Sequence, residues 1–518
     1  MQMYPNPIIW ADYPDPDVIR VEDTYYMVST TMHFMPGCVI LRSYDLIHWE
    51  VAAYVYDALD HTPDQRLEGD RQIYGKGMWA ASLRYHQGQY YVCFVANDTH
   101  QTYLFSAFEI TGPWTRHPNI EGFYHDCSLL FDDDGRVFII YGNAEIHLTE
   151  LKEDLTGPKP GGLNRIIVRE TEPYHLGYEG AHVYKINGKY YVFLIHITNS
   201  RHSRRTQACF VAASLEGDFV GGEVFDDDMG YFNAGIAQGG IVDTPDGNWY
   251  AVLFQDHGAV GRIPVLVPLH WEHDVPVFDR KPPSYIDIPS TKPGYEYKPL
   301  VGSDDFFYRP DKNGNVHLKD FWQWNHIPTN NLWSVTDKPG TYRIQSGKIS
   351  ANLIFSANTL TQRAMGPACE AIVTLDGSEL KDGDYAGLCF LISTYGFIAL
   401  TKEAGHYYLV MLARTTDDKT IFGNLVDKDT GVEFARIPVD NNKVTLKAYG
   451  NFVYNTDECE FYYMDGEDWK KLGITHNMVW KMDQFVGARY GLFLYSTKEI
   501  GGTAQFSRFA YNVMKFRR

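Results

Sequence analysis

Gly188-Lys189-Tyr190-Tyr191-Val192 sets a turn-forming pair ahead of two tyrosines and a valine, and four further stretches repeat the pattern. They are Asp23-Thr24-Tyr25-Tyr26-Met27, Gly88-Gln89-Tyr90-Tyr91-Val92, Gly135-Arg136-Val137-Phe138-Ile139 and Gly247-Asn248-Trp249-Tyr250-Ala251. A turn followed at once by aromatic and β-branched residues is the composition of a β-hairpin. Successive copies lie 65, 47, 53 and 59 residues apart, room for four strands and variable loops, with no convincing amphipathic helix between them. Five such units predict a five-bladed β-propeller. A stacked sandwich would not require so regular a motif.

In a propeller the innermost strand of each blade lines a central channel and precedes the hairpin by a nearly constant offset. Ten residues back from Gln89, Arg136, Lys189 and Asn248 stand Trp79, Asp126, Glu179 and Gln238, and nine back from Thr24 stands Asp15. The offset thus selects three carboxylates, one indole and one amide. Asp15 lies between Pro14 and Pro16, whose rings restrict the backbone, so it is expected to be held stiffly at the channel mouth. Asp12 and Asp17 are expected as turn or cap residues, and the runs 132–134 and 226–228 as solvated turns.

The repeat stops near residue 275. Residues 279–302 are rich in proline and turn formers and read as a linker or strap. Alternating stretches then resume, among them Gly387-Leu388-Cys389-Phe390-Leu391-Ile392 and Tyr407-Tyr408-Leu409-Val410-Met411-Leu412, divided by glycine turns and without helical period. They predict a β-sandwich. The chain is therefore all-β: residues 1–300 form the propeller and residues 303–518 the sandwich.

The totals fit this picture. A length of 518 residues favours two domains, and 15% aromatic residues suit sheets and ring-lined binding surfaces. With 65 acidic against 46 basic residues the net charge is −19, which argues against nucleic acid and anionic membrane as partners and for a neutral ligand. Seven cysteines without a CxxC pair are expected as free thiols. That usage, with no recognisable signal segment, points to the cytoplasm, although a secreted protein with its signal peptide removed would look the same. A homo-oligomer is left open.

Several acids around one cavity raise one another's proton affinity, so they call for a cation or for chemistry that uses a shared proton. Glycoside hydrolysis is such chemistry: one carboxylate activates water and another donates a proton to the leaving oxygen. Glu179, in Gly177-Tyr178-Glu179-Gly180-Ala181-His182, is the better candidate acid and Asp15 the candidate base, with Asp126 tuning and orienting. Trp79 is a candidate sugar platform, His33 and Phe34 are candidate pocket walls, and Arg262 is a candidate donor to hydroxyls. The competing reading is a non-catalytic, calcium-dependent carbohydrate-binding propeller.

The stretches NPIIWADYPDPDVIR, HDCSLLFDDDGRVFIIYG, YEGAHVYK and AQGGIVDTPDGNWY resemble, in order and spacing, the blade motifs of glycoside hydrolase family 43. WQWNHIPTNNLWSV, ANTLTQRAMGP and DGDYAGLCFL resemble the C-terminal concanavalin-like jelly roll of its β-xylosidase and α-L-arabinofuranosidase members. The resemblance implies Asp15 as general base, Asp126 as modulator and Glu179 as general acid in an inverting, exo-acting release of xylose or arabinose. It also implies carboxyls about 6.5–9.5 Å apart, Arg262 on substrate hydroxyls, and Phe34 and Trp79 as walls of the first subsite. Many members carry a histidine where Gln238 stands, and that residue helps hold a channel cation, often calcium. An amide oxygen still suits calcium, so the ion remains expected at Gln238, with His257 able to compensate. Cys127 and Ala181 replace family prolines, with local effects expected. In members with this sandwich a loop of the second domain closes the pocket, and the turn Ser496-Thr497-Lys498-Glu499-Ile500-Gly501-Gly502 is the candidate.

Overall fold

The computed structural model describes residues 4–199, 203–418 and 420–514. Five antiparallel blades are laid down in chain order, four of them four-stranded and the fifth with its inner strand split into two short pieces, Ile236–Ala237 and Ile241–Asp243. Their innermost strands are Asp17–Val21, Met78–His86, Ser128–Phe131, Tyr174–Ile186 and Ile241–Asp243, in blades I to V. Each repeated motif forms the first hairpin of its blade, as in Asp17↔Val28 to Val21↔Thr24 and in Lys185↔Tyr190 to Ile186↔Lys189.

Adjacent blades are joined by a ring of hydrogen bonds around the channel. The N–H groups of Leu83, Leu129, Val183 and Ile241 each donate to a side chain of the preceding blade: Asp17 Oδ2 (2.8 Å), Ser82 Oγ (3.0 Å), Ser128 Oγ (3.1 Å) and Tyr184 Oη (2.9 Å). Gly240 N–H closes the circle on the Pro16 carbonyl at 2.9 Å. A Cβ at Gly240 would stand 2.7 Å from Tyr184 Oη and 2.9 Å from Val18 N, so only glycine fits this crossing. Asp17 is therefore no turn residue but a fully buried anchor of the ring. Asp132 departs from expectation in the same way: it is buried and bonded to Lys185 and Tyr190.

After the propeller, Tyr285–Ile286 of the strap pairs with Tyr4–Pro5. The second domain is two eight-stranded antiparallel sheets face to face. The propeller supplies the edge of one of them: Phe34–Met35 pairs with Gln323–Asn325 through Asn325↔Phe34 and Trp324↔Met35. Buried apolar side chains of blades I and II are continuous with the sandwich core, so one hydrophobic seam joins the two domains. All seven cysteines are buried and unpaired.

Candidate active site

Asp15 sits just above the first inner strand. Its neighbours' carbonyls are pinned, Pro14 O by Ser29 Oγ (2.7 Å) and Thr30 N (3.3 Å), Pro16 O by Gly240 N. The backbone at Asp15 is left-handed, φ 52°, and Asp126 (49°) and Gln238 (55°) make the same turn in blades III and V. Aspartate tolerates this region better than most residues, and the turn directs the side chain at the channel mouth. Blade IV uses another device. Its inner strand runs on past the mouth, and the register slips on both sides of Glu179, a bulge that re-aims the side chain. Gly180, φ 64°, follows because a Cβ there would lie 2.8 Å from Gln238 Cδ.

The carboxyls converge. Asp15, 5% exposed, accepts from Thr30 Oγ1 at 2.7 Å and from Arg262 Nη1 at 2.9 Å. Glu179 Oε2 accepts from the Asn143 amide and faces His125 Nε2 at 3.4 Å. The same ring nitrogen is 3.8 Å from Asp126 Oδ2. Burial pushes the Asp126 carboxyl up to about 7, with repulsion from Glu179 and Asp15 adding to it and His125 and Arg262 opposing it. Asp126, helped by Glu179, in turn holds the His125 imidazole up at about 9 against burial. Single atoms of His125, Asp126 and Glu179 lie within 4.8 Å of one another, a spacing a metal could use. One ring nitrogen and two carboxyls, however, supply fewer oxygens than the six to eight that calcium takes.

Arg262 is 3% exposed, and its Nε and Nη2 have no partner among the described residues, although Nη1 is bound to Asp15. Its guanidinium lies 4.2 Å from the ring centre of Phe485, and Phe485 also meets Trp79 at 5.4 Å. Trp79 keeps some exposed surface, and its indole nitrogen is buried without a partner among the described residues. These unmatched donors around the acids are groups that sugar hydroxyls would satisfy.

His33 and Phe34 stand beside this pocket in the domain seam, 0% and 1% exposed. His33 packs between Phe34, Tyr74 and His326, and Arg489 lies over Phe34 at 3.9 Å. Gln238 donates its N–H to Gln207 Oε1 at 2.8 Å. His257 is bonded to Gln255 at 2.8 Å and stacked on Tyr231.

The sandwich loop that reaches the pocket is 480–488, not the turn 496–502. That turn is bonded to Ser346, Lys381 and Gly383 of its own domain, with Thr497 to Ile500 exposed. The 480–488 loop is fixed to blade V instead. Asp12, expected in a turn, is buried between the domains: Oδ1 accepts from Arg262 N and Oδ2 from Gly487 N, both at 2.8 Å. Ala488 N donates to Ala259 O at 2.7 Å. His125, Asn143, Thr30 and Phe485 had not been singled out in the sequence. His125 was accessible as the neighbour of Asp126, whereas Phe485 has no local signature.

Residues 4–276 match the model of glycosyl hydrolases family 43, and residues 313–512 match the β-xylosidase C-terminal concanavalin A-like domain. The chain belongs to glycoside hydrolase family 43. A β-xylosidase of Formosa agariphila is 26% identical over 98% of this chain and 90% of its own length. A non-reducing-end α-L-arabinofuranosidase of Bacteroides ovatus is 24% identical, over 80% of this chain and 79% of its own. Among solved structures, a bifunctional family 43 protein of Bacteroides eggerthii superposes on 99% of this chain with TM-score 0.88 and 39% identity. This chain spans 64% of that longer one. A family 43 enzyme engineered to display both endo-xylanase and exo-arabinofuranosidase activity superposes over 99% of this chain and all of its own length, with TM-score 0.85 and 27% identity.

Proposed function

We propose that this family 43 glycosidase removes single terminal pentoses, xylose or arabinose, from the non-reducing ends of xylo-oligosaccharides or arabinose-decorated glycans, with inversion. The convergence of Asp15, Asp126 and Glu179 on one mouth carries the reading. Oε2 of Glu179 is engaged by Asn143 and His125, and Oε1 makes no hydrogen bond to a described residue, so Oε1 is the oxygen to carry the proton. As the C1–O bond breaks, that proton passes to the glycosidic oxygen. Asp15, oriented by Thr30 and Arg262, takes a proton from the water whose oxygen forms the new bond to C1 from the opposite face. Asp126 stays close enough to keep both partners in register, and the free N–H groups of Arg262 take sugar hydroxyls. Phe485, carried in from the sandwich, walls one side of the pocket, which supports action on chain ends.

Proton NMR during hydrolysis of an aryl β-xyloside and an aryl α-L-arabinofuranoside tests this reading. The first-formed sugar should be the opposite anomer, and xylo-oligosaccharides should shorten by one unit at a time. A product of retained configuration, or cleavage only inside long chains, overturns it.

A further inference from the structure

The family resemblance places a calcium ion in the channel near Gln238, and the residues present do not fit one. Calcium asks for six to eight oxygen ligands. In this channel the oxygens below the mouth already face donors. Asp17 Oδ2 takes Leu83 N and Arg84 Nη1, and Asp17 Oδ1 pairs with His182 Nδ1 at 2.9 Å. The Ser82 and Ser128 hydroxyls take the N–H groups of Leu129 and Val183, and Gln207 Oε1 takes that of Gln238.

What converges on the axis is a guanidinium. Arg84, on the inner strand of blade II, has five N–H donors, and five hydrogen bonds account for them. Nε donates to Leu129 O (2.8 Å), Nη1 to Asp17 Oδ2 and Leu83 O (both 2.6 Å), and Nη2 to Ser128 Oγ (2.6 Å) and Val183 O (3.2 Å). The acceptors belong to blades I, II, III and IV. The Tyr184 ring lies 5.5 Å from the guanidinium, and its hydroxyl reaches blade V through Ile241 N. One permanently charged, planar group thus neutralises the buried Asp17 carboxylate and ties the inner strands together.

The geometry points to Arg84 as the resident cation of this propeller, standing in for a divalent ion: the channel is metal-free by construction, and its stability does not respond to calcium. Single carbonyls of three blades aimed at one side chain are otherwise hard to account for, since a metal would claim those same oxygens.

The test uses the full chain and needs no substrate, so it stands or falls apart from the glycosidase reading. Chelator-dialysed protein is compared with protein in about 1 mM calcium, enough to fill even a weak site, by thermal unfolding and by titration calorimetry. Unchanged Tm and no binding heat are expected. A rise of several degrees with saturable heat overturns the proposal, because a bound ligand stabilises by mass action. Arg84→Met should lower Tm by about 5–10 °C, the effect of leaving a buried charge unpaired in a domain of this size, and Arg84→Lys should fall between, since an ammonium cannot serve five acceptors. A Met variant as stable as the parent overturns the role given to Arg84. If that variant does not fold, the Lys variant and the calcium titration of the parent decide.

Discussion

The mouth and the throat of the channel are built from the same five inner strands, a few residues apart, and they treat charge in opposite ways. At the mouth three carboxyls share one arginine and one histidine, two nitrogens of Arg262 have no described partner, and Asp126 is driven up to about 7 by burial and its acidic neighbours. In the throat Asp17 has both oxygens bonded, and Arg84 with His182 holds it below the usual carboxylate range despite its burial. Satisfied polar groups hold a structure together, whereas unsatisfied ones are free to meet a ligand. The contrast separates catalyst from scaffold without reference to exposure, since Asp15 and Asp17 are both buried.

Removing a mouth acid is the strongest way to break that contrast. Glu179→Ala and Asp15→Ala should each lower kcat about 10²–10⁴-fold, the contribution of a general acid or base. The Glu179 loss should shrink on aryl glycosides whose leaving group needs no proton. For Glu179→Ala Tm should stay level or rise, because a like charge has left a crowded site, whereas Asp15→Ala also strips the buried Arg262 of its carboxylate and should lower Tm somewhat. Initial-rate kinetics and thermal unfolding check both parts. A large fall in Tm, of the kind expected for Arg84→Met, would erase the distinction between the layers.

A smaller effect tests the wall contributed by the sandwich. Phe485→Ala removes the ring that covers Arg262 at 4.2 Å and meets Trp79. Loss of a desolvated cation–π contact and an aromatic pair is worth about 1.5 kcal/mol, or roughly tenfold. It should appear as a raised KM with kcat nearly unchanged, since the ring touches no reacting atom. A fall in kcat with KM unchanged would instead make the loop part of the chemistry.

The sequence carried the mouth because a repeat has a countable offset: the position that yielded Asp126 and Glu179 also yielded Asp15 and Gln238. It carried the two-domain β architecture for the same reason, a period of two interrupted by turns. The throat was written in the same register, with Asp17, Ser128 and Gly240 each two residues beyond a mouth position. Asp17 passed for a turn residue because its partners Arg84 and His182 are 67 and 165 positions away. Phe485 and Asp12 were hidden more thoroughly, since their positions follow from how one domain docks on the other, and no local pattern encodes docking. His33 and Phe34 were expected as pocket walls; their burial in the seam depends on Tyr74, His326 and Arg489, again remote in the chain.

The domain seam offers one carboxyl of intermediate kind. Asp457 of the sandwich accepts from Ala259 N at 3.0 Å through Oδ2, while its Oδ1 is buried with no described partner, the signature of the mouth outside the mouth. Burial pushes it up to about 7, the Ala259 N–H only partly opposing. The folded-state value thus lies above the unfolded value near 3.8, so the protonated form favours folding below about pH 4, and that advantage is lost as pH climbs to about 7. Asp457→Asn keeps the shape and cannot ionise. Its Tm should match the parent near pH 4, pull ahead through this window and level off above it, with a final gain of about 2 kcal/mol after allowance for partial solvation. Hydrolysis should change less than twofold, a factor worth about 0.4 kcal/mol. Equal stability of the two proteins at pH 8 would mean that solvent or a neighbouring group already satisfies Oδ1, and an unmatched oxygen would then no longer be enough to tell a strained carboxyl from a settled one.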